Sequence, residues 1–176
     1  MSAGDNGVGV MAPIETERLI LRQFVLDDAA AFQRLNADPL VRRYTYDSPM
    51  ETLDDARRVL TEAPLADYAK HGYGRVACVL KDTGELIGFS GLKYLSDIGE
   101  TDIGYRFLRA HWGKGYATES ARPMMDYGRN VLRLERIIGL VDPDNAGSVH
   151  VLEKLGLKYE STVFYADIGK DMHLYA

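Results

Sequence analysis

Two glycines, Gly113 and Gly115, separate a strand-like segment from a helix-like one. Residues 101–108 alternate in polarity as a strand does, and residues 115–132 place small and apolar residues at helical spacing. Glycines allow a backbone to approach a ligand closely, and the first turn of a helix has four N–H groups without partners. A strand, a glycine loop and a helix in this order predict an anion site, most naturally one for a pyrophosphate.

The charges around the two glycines favour the same interpretation. The charged side chains from residue 103 to residue 117 are Arg106, Arg109 and Lys114, although the whole chain has a net charge of −5. A plain turn that uses glycines only for its geometry is the alternative, and a dinucleotide-binding fold is another. The dinucleotide fold needs a third Gly or Ala where Thr118 lies, and the antiparallel strands expected before the loop argue against it.

The pattern along the chain predicts a mixed α/β domain in the order β α α β β β α β α β β. We place this single domain at residues 14–176 and expect a disordered tail at residues 1–13, which are rich in glycine and small residues. The predicted strands are residues 18–24, 75–81, 85–92, 101–108, 136–141, 157–165 and 170–175. The predicted helices are residues 27–36, 52–70 with a break at Pro64, 115–132 with a kink at Pro123, and 145–155.

Composition excludes several classes of protein. An acidic chain is unlike most nucleic-acid binders, and no run of about 18 apolar residues is present to span a membrane. Residues 1–13 lack the basic and apolar regions of a secretory signal, and Cys78 is the only cysteine, so we expect a cytoplasmic protein. Cys78 lies in an apolar run and is expected in the core. The four histidines show no metal-ligand spacing, so no metal site is expected.

Four segments resemble the GNAT N-acetyltransferases, and the similarity runs from about residue 14 to the C-terminus. Residues 112–119, Trp-Gly-Lys-Gly-Tyr-Ala-Thr-Glu, resemble the loop that binds the acetyl-CoA pyrophosphate. Three further segments are similar to the branch that contains the ribosomal-protein N-terminal acetyltransferases. They are residues 17–22 (Glu-Arg-Leu-Ile-Leu-Arg), residues 102–105 (Asp-Ile-Gly-Tyr) and residues 145–157, which begin Asn-Ala-Gly-Ser and end Leu-Glu-Lys-Leu-Gly-Leu.

The resemblance implies the GNAT acyl-CoA N-acyltransferase fold. This fold has a mostly antiparallel sheet of six to seven strands with flanking helices. Its fourth and fifth strands, here residues 101–108 and 136–141, splay apart. Acetyl-CoA is the implied cosubstrate, with its pantetheine arm paired to backbone groups inside the splay. The implied cofactor-binding residues are Phe107, Leu108, Arg109, Trp112, Gly113, Lys114, Gly115, Tyr116, Ala117, Thr118 and Asn145.

The resemblance also implies direct attack of an amine on the thioester, with Asp102 and Ser148 as the catalytic residues. Asp102 would position a water or the amine, and Glu100 on the same face is the reserve. The branch usually has Glu at the position of Asp102, and the general loop pattern has Arg or Gln at the position of Trp112. Ser148 is implied near the sulfur, where its hydroxyl would donate to the developing thiolate; Tyr159 and Tyr165 are alternatives. Asn145 also fits as a helix N-cap, with Ser148 at the third helical position.

The acceptor amine is less well defined by the sequence. An α-amine with a pKa near 8 is about 10% neutral at pH 7, and a lysine is about 0.04% neutral, so a protein N-terminal α-amine needs less help from a base. A polyamine, an aminoglycoside and an amino acid stay open as acceptors. So do a CoA-binding module without turnover and a nucleotide-binding domain of another class. The first two helices are expected to shape the acceptor pocket, with Tyr44, Tyr46 and Tyr73 as lining residues, in a monomer or a homodimer.

Overall fold

Two antiparallel sheets meet at a single point in the structure, a computed structural model that describes residues 10–176. The first sheet has five strands in the order of the chain. They are β1 (Ile14–Glu15), β2 (Leu19–Gln23), β3 (Arg75–Leu80), β4 (Leu86–Leu95) and β5 (Glu100–Phe107). The second sheet has three strands in the order β6 (Gly139–Val141), β8 (Lys170–Tyr175) and β7 (Tyr159–Tyr165).

Helices cover both faces of the first sheet. They are α1 (Ala29–Ala37), α2 (Leu53–Leu60), α3 (Ala66–His71), α4 (Tyr116–Asn130) and α5 (Ala146–Lys154). One buried cluster joins α4 and α5 to one face, and a second joins α1 and α2 to the other. Pro64 lies in a π-helical segment, Thr61–Leu65, between α2 and α3, whereas α4 continues through Pro123. The predicted α/β class is confirmed, as is the burial of Cys78 in β3.

The meeting point of the two sheets is an isolated parallel bridge between Asp102 and Ile138. The N–H of Ile103 donates to the carbonyl of Ile138 at 2.8 Å, and the N–H of Ile138 donates to the carbonyl of Thr101 at 2.9 Å. The next bond of a parallel ladder would join the N–H of Leu140 to β5. That N–H donates instead to Asp102 Oδ1 at 2.8 Å. The Asp102 carboxylate therefore ends the ladder where the two strands separate.

This separation is the splay that the resemblance implies, and it divides the strands differently from the prediction. We expected one sheet of six to seven strands, but the structure has five strands and three strands joined by one bridge. The short strand β1 is an addition to the predicted set, and of the predicted strand at residues 136–141 only Gly139–Val141 pairs with a neighbour in its own sheet. A ladder capped by a side chain cannot be recognised from alternation of polarity.

The glycine inside β5 is explained by a close approach. A Cβ atom added at Gly104 would lie 2.3 Å from Arg75 Nη2. The Arg75 guanidinium crosses the strand there to reach the Asp102 carboxylate at 2.5 Å and the Asp102 carbonyl at 3.1 Å. A larger residue at position 104 would displace this ion pair.

The predicted tail is too long at its C-terminal end. Met11 is only 7% exposed and belongs to the larger buried cluster, so packing begins before residue 14. Met11 lies in a segment rich in glycine and small residues with no clear helical or strand pattern around it, which is why the sequence did not reveal its burial. Residues 1–9 lie outside the described residues, and for them the disorder stays a prediction.

Candidate active site

The loop that connects β5 to α4 contains the two predicted glycines. A short 3-10 turn, Arg109–His111, follows β5, and α4 begins at Tyr116 with Gly115 as its N-cap. Gly113 has φ = +70° and Gly115 has φ = +85°, a left-handed conformation that other residues rarely adopt. A Cβ at Gly113 would meet nothing within 4 Å. These glycines are therefore required by their backbone angles, and the space in front of Gly113 is open.

The same loop presents a row of unpaired donors. Within residues 10–176, the N–H groups of residues 113–118 donate no hydrogen bond, and the first bond of α4 runs from Glu119 N to Gly115 O at 3.0 Å. Successive free N–H groups at the positive end of a helix dipole attract anions. The exposed side chain of Lys114 adds a positive charge beside them. The geometry is that of a phosphate site.

A partly buried ion pair fixes this loop to the start of β2. Glu119 accepts hydrogen bonds from Thr16 Oγ1 at 2.7 Å, from Arg18 N at 2.8 Å and from Arg18 Nε at 2.7 Å. Arg18 also donates to the Lys114 carbonyl at 2.9 Å and lies over the Tyr116 ring at 4.1 Å. Burial alone would raise the pKa of Glu119, but the bonds from Thr16 and Arg18 hold it below its usual value. The sequence showed both segments but not their contact.

The free edge of β5 is shorter than we predicted. Strand groups alternate in direction, so the N–H groups of Tyr105 and Phe107 point to the same side as that of Ile103, toward the splay. Leu108, in contrast, uses both backbone groups internally: it donates to Ile87 at 2.9 Å and accepts from His111 at 2.8 Å. The predicted backbone contact from Leu108 is therefore not supported by the geometry.

The other predicted residues near this edge have partners of their own. Trp112 Nε1 donates to the Phe107 carbonyl at 2.8 Å and so braces the loop. The Arg109 side chain pairs with Asp38 at 3.3 Å. Arg109 is therefore already paired with an acidic residue of the segment that follows α1.

On the far side of the splay, Asn145 and Ser148 begin α5. Asn145 Oδ1 accepts the N–H of Ser148 at 3.2 Å, which confirms the predicted N-cap. Ser148 Oγ lies 3.0 Å from the hydroxyl oxygen of Tyr105, and that hydroxyl donates to the Ser148 carbonyl at 2.9 Å. Burial raises the pKa of Tyr105, so its hydroxyl keeps its proton. Sequence reasoning missed this pair, although the alternation in residues 101–108 placed Tyr105 on the correct face.

The tyrosines considered as alternatives to Ser148 have other partners. The Tyr159 hydroxyl lies 2.9 Å from Thr162 Oγ1, and Tyr165 donates to Asp167 at 3.1 Å. Tyr165 still lines the central pocket, which is described below, but Tyr159 lies on the exposed face of β7.

Asp102 is fully engaged. One carboxylate oxygen accepts from Leu140 N and the other from Arg75. Burial raises the pKa of Asp102, and the Arg75 guanidinium opposes that rise. The reserve acid, Glu100, pairs with Arg136 at 3.0 Å. Neither carboxylate is a free base in this arrangement.

A central pocket of about 540 Å³ lies where the strands separate. Its walls include Tyr105 and Arg106 from β5, Leu140 from β6 and Ser148 from α5. Of the three tyrosines predicted to line the acceptor site, Tyr44 does so. The hydroxyl of Tyr73 lies instead 2.7 Å from Thr101 Oγ1. Tyr46 is not one of the lining residues, and its hydroxyl contacts Asp142 instead.

The segment of residues 38–52, which we call the strap, covers this pocket and is tied down on both sides of the splay. Tyr46 has φ = +60°, unusual for a residue with a side chain, and its hydroxyl donates to Asp142, the residue that follows β6. The next residue, Asp47, pairs with Arg106 of β5 at 2.5 Å. The backbone turn at Tyr46 lets adjacent residues reach opposite strands.

The described residues contain neither a membrane-spanning helix nor a group of potential metal ligands. No helix in residues 10–176 is long and apolar enough to cross a bilayer. In the same residues, no three His, Cys, Asp or Glu side chains are grouped so that they would hold a metal ion.

Known proteins are similar to this chain in sequence and in fold. Residues 18–158 match the family described as Acetyltransferase (GNAT) domain. The chain is 34% identical over 152 residues to the uncharacterized N-acetyltransferase p20 of Bacillus licheniformis, covering 85% of this chain and 84% of that one. It is 26% identical over 146 residues to spermidine N(1)-acetyltransferase of Escherichia coli K12, covering 82% and 75%.

Solved structures agree with these relatives. An acetyltransferase from Agrobacterium tumefaciens str. C58 superposes with a TM-score of 0.80 at 26% identity and covers 98% of each chain. A ribosomal-protein-S5-alanine acetyltransferase from Vibrio fischeri shares the fold, with a TM-score of 0.73 at 19% identity over 94% of this chain and 95% of that one. The resemblance noted in the sequence is thereby confirmed, and the chain is a member of the GNAT acetyltransferase family.

Proposed function

We propose that this chain transfers the acetyl group of acetyl-CoA directly to a primary amine, and that a protein N-terminal α-amine is its acceptor. The observation that carries the proposal is the row of unpaired N–H groups at residues 113–118, beside a strand edge that lacks a partner. A pyrophosphate fits the donors and the helix dipole, and the open space before Gly113 admits it. Tyr116, Ala117 and Thr118 supply the donors of the first helical turn.

The pantetheine arm is assigned to the splay. Its amides can pair with the N–H groups of Tyr105 and Phe107 as an added strand would. Asn145, at the opposite wall, presents its side chain beside the same gap and contacts the arm in this proposal. Lys114 and Arg109 lie at the outer end, where they meet the adenosine phosphates.

The thioester supplies an activated acetyl group, which passes to the neutral amine as the carbon–nitrogen bond forms and the carbon–sulfur bond breaks. The proton that the amine nitrogen loses passes through water to the departing CoA sulfur. Ser148 Oγ donates a hydrogen bond to the departing thiolate. Tyr105 holds the serine by its main chain, because the Tyr105 hydroxyl donates to the Ser148 carbonyl at 2.9 Å and leaves the Ser148 hydroxyl proton for the sulfur. Asp102 lines the pocket, and its role in positioning a water or the amine stays a prediction, since its carboxylate already has two protein donors.

The α-amine is favoured because the pocket offers no free base. The four carboxylates that line it all lie within 4 Å of a cationic side chain. An acceptor that is already about 10% neutral at pH 7 needs the least deprotonation by the protein. The spermidine acetyltransferase relative makes a small polyamine the second candidate. We propose a cytoplasmic location, which suits a chain with one buried thiol.

An acceptor screen tests the proposal. Acetyl-CoA is incubated with the protein and with peptides, polyamines, aminoglycosides or amino acids, and thiol release is followed together with the mass of each product. We expect amine-dependent thiol release with one N-acetyl group added per thiol, and the highest kcat/KM with peptide α-amines. CoA binding without turnover on any amine would indicate a binding module. NAD binding without CoA binding would indicate a different class of nucleotide-binding domain.

A further inference from the structure

The carboxylates of the central pocket are matched by cations of the chain. Its four lining carboxylates each have a cationic partner close by. The pairs are Asp47 with Arg106 at 2.5 Å, Asp55 with Arg58 at 3.8 Å, Asp102 with Arg75 at 2.5 Å, and Asp142 with Lys170 at 2.7 Å. A site that holds a second ammonium group of its substrate needs an anion that is free to receive it.

One of these pairs differs from the other three. The carboxylate of Asp142 is fully buried, and its cation is a lysine that is 37% exposed and comes from the start of β8, outside the pocket lining. Arg75 and Arg106 each make several hydrogen bonds and resist displacement, whereas a lysine ends in a single point charge on a flexible stem. The Asp55 carboxylate is already used as part of the N-cap of α2, where it accepts the N–H of Thr52 at 3.0 Å. Asp142 is therefore the carboxylate at which a foreign ammonium can compete most directly with the chain's own.

The surroundings of Asp142 form a complete ammonium site. Lys170 Nζ donates to Asp142 Oδ2 at 2.7 Å and to the Tyr46 hydroxyl at 2.8 Å, and the Tyr46 hydroxyl donates to Asp142. Burial alone would raise the pKa of Asp142, but the bonds from Lys170 and Tyr46 keep it below its usual value. The carboxylate is thus ionised at neutral pH and already neutralised by a cation of the chain.

We propose that Lys170 determines the acceptor class: it fills, from within the chain, the place at Asp142 that a second positive charge of a substrate would take. The enzyme then selects monoamines, whose only amine nitrogen is the one that becomes acetylated. This inference rests on the proposed function, since it names the acceptors of that same pocket. It favours peptides without a positive charge close to the N terminus and disfavours polyamines.

The test compares acceptors that differ only by one ammonium group. The probes are α,ω-diaminoalkanes of three to six carbons and the n-alkylamines of equal length. For the wild type, we expect kcat/KM for each diamine to be at most about twofold that of its monoamine, the factor given by two equivalent amines. In Lys170→Met, Asp142 loses its partner, and we expect the ratio to rise at least about 10-fold for a diamine of the length that reaches it.

Two further variants test whether the effect comes from the pair of Lys170 and Asp142. Lys93→Met removes another positive charge from the pocket lining, from a lysine that has no carboxylate within ion-pair distance in residues 10–176, and should change the ratio by less than about twofold. Asp142→Asn combined with Lys170→Met should return the ratio to the wild-type value. A wild-type preference for diamines, or the same rise in Lys93→Met, would overturn the proposal.

A binding measurement separates this inference from the proposed function. A diamine should raise the melting temperature of Lys170→Met and not that of the wild type, whether or not acetyl transfer occurs. If neither protein acetylates any amine, the proposed function fails while the melting shift still decides the role of Lys170. If both are active and no diamine raises the melting temperature of Lys170→Met, the inference fails alone.

Discussion

The two halves of the site are built in different ways. The half that we propose binds acetyl-CoA, residues 105–118 and here called the cofactor half, is one continuous segment whose open N–H groups follow from a strand end, two glycines and a helix start. The acceptor half consists of the strap, Asp142 and Lys170, and its contacts join residues 96 and 124 positions apart. A local segment carries its geometry in its own sequence. A pocket whose walls are held by ion pairs between residues far apart in the sequence can change its substrate specificity through a single substitution. The cofactor half is not altered by such a substitution.

The largest effect is expected in the cofactor half. Gly115→Glu places bulk and a negative charge beside the proposed pyrophosphate site, and we expect CoA affinity to fall at least about 100-fold in a calorimetric titration. Gly84→Glu is the matched control, because Gly84 has φ = +72° and a Cβ there would meet nothing within 4 Å, while a Cβ at Gly115 would lie 3.5 Å from Arg18 Nη2, an ordinary contact distance. Both variants bear the backbone strain, and only Gly115→Glu should lose CoA. Equal CoA binding by the two folded variants would refute the assignment of the loop.

The contact that anchors this half should matter for stability. Glu119→Gln weakens the bonds to Thr16 and Arg18, and we expect the free energy of unfolding to fall by about 2 kcal/mol at pH 7. The folded pKa of Glu119 lies below its ordinary value, so its stabilisation is present above about pH 4.5 and is lost as the pH falls through the folded pKa. Denaturant titrations from pH 7 to pH 3 should therefore show the two proteins converging. A constant difference across that range would contradict the ion pair.

Between the two halves lies the proposed thiolate contact. Ser148→Ala should lower kcat about 10-fold and leave the affinity for CoA within about twofold, because only the reacting sulfur loses a donor. The N-cap is kept, since it uses the Ser148 backbone N–H. Ser161→Ala, on the edge strand β7, serves as the control. An unchanged kcat on the true acceptor would leave catalysis to positioning alone.

The smallest effect is expected in the acceptor half. Tyr46→Phe removes the hydrogen bond that Tyr46 donates to Asp142 and the one that it accepts from Lys170, and leaves the bond from Lys170 to Asp142. We expect KM for the acceptor to rise about threefold, while the affinity for acetyl-CoA stays constant in the same titrations. A loss of acetyl-CoA affinity would show that the strap and the loop are one unit, and the comparison of two halves would have to be abandoned.

Local signals predicted the fold class and the order of strand, glycine loop and helix at residues 101–132 well. Alternation in residues 101–108 correctly grouped Ile103, Tyr105 and Phe107. The signal at Asn145 predicted the N-cap of α5. Sequence patterns of this kind report on neighbours along the chain, and the left-handed backbone angles of Gly113 and Gly115 depend mainly on such neighbours.

Contacts between distant residues could not be predicted. The bond from Leu140 to Asp102, which ends the ladder, joins residues 38 positions apart, and Asp102 therefore looked like a free acid in the sequence. The contact between Arg18 and Glu119, and the burial of Met11, are of the same kind. Each depends on the tertiary fold, for which one sequence holds no periodic signal.

Hydrogen exchange at single amides tests the central claim most directly. Exchange is followed by NMR with and without saturating acetyl-CoA and with no acceptor. The account predicts slower exchange at the amides of residues 113–118, Tyr105 and Phe107, and unchanged exchange in the strap. Bound acetyl-CoA that leaves residues 113–118 exchanging as in the free protein would contradict it.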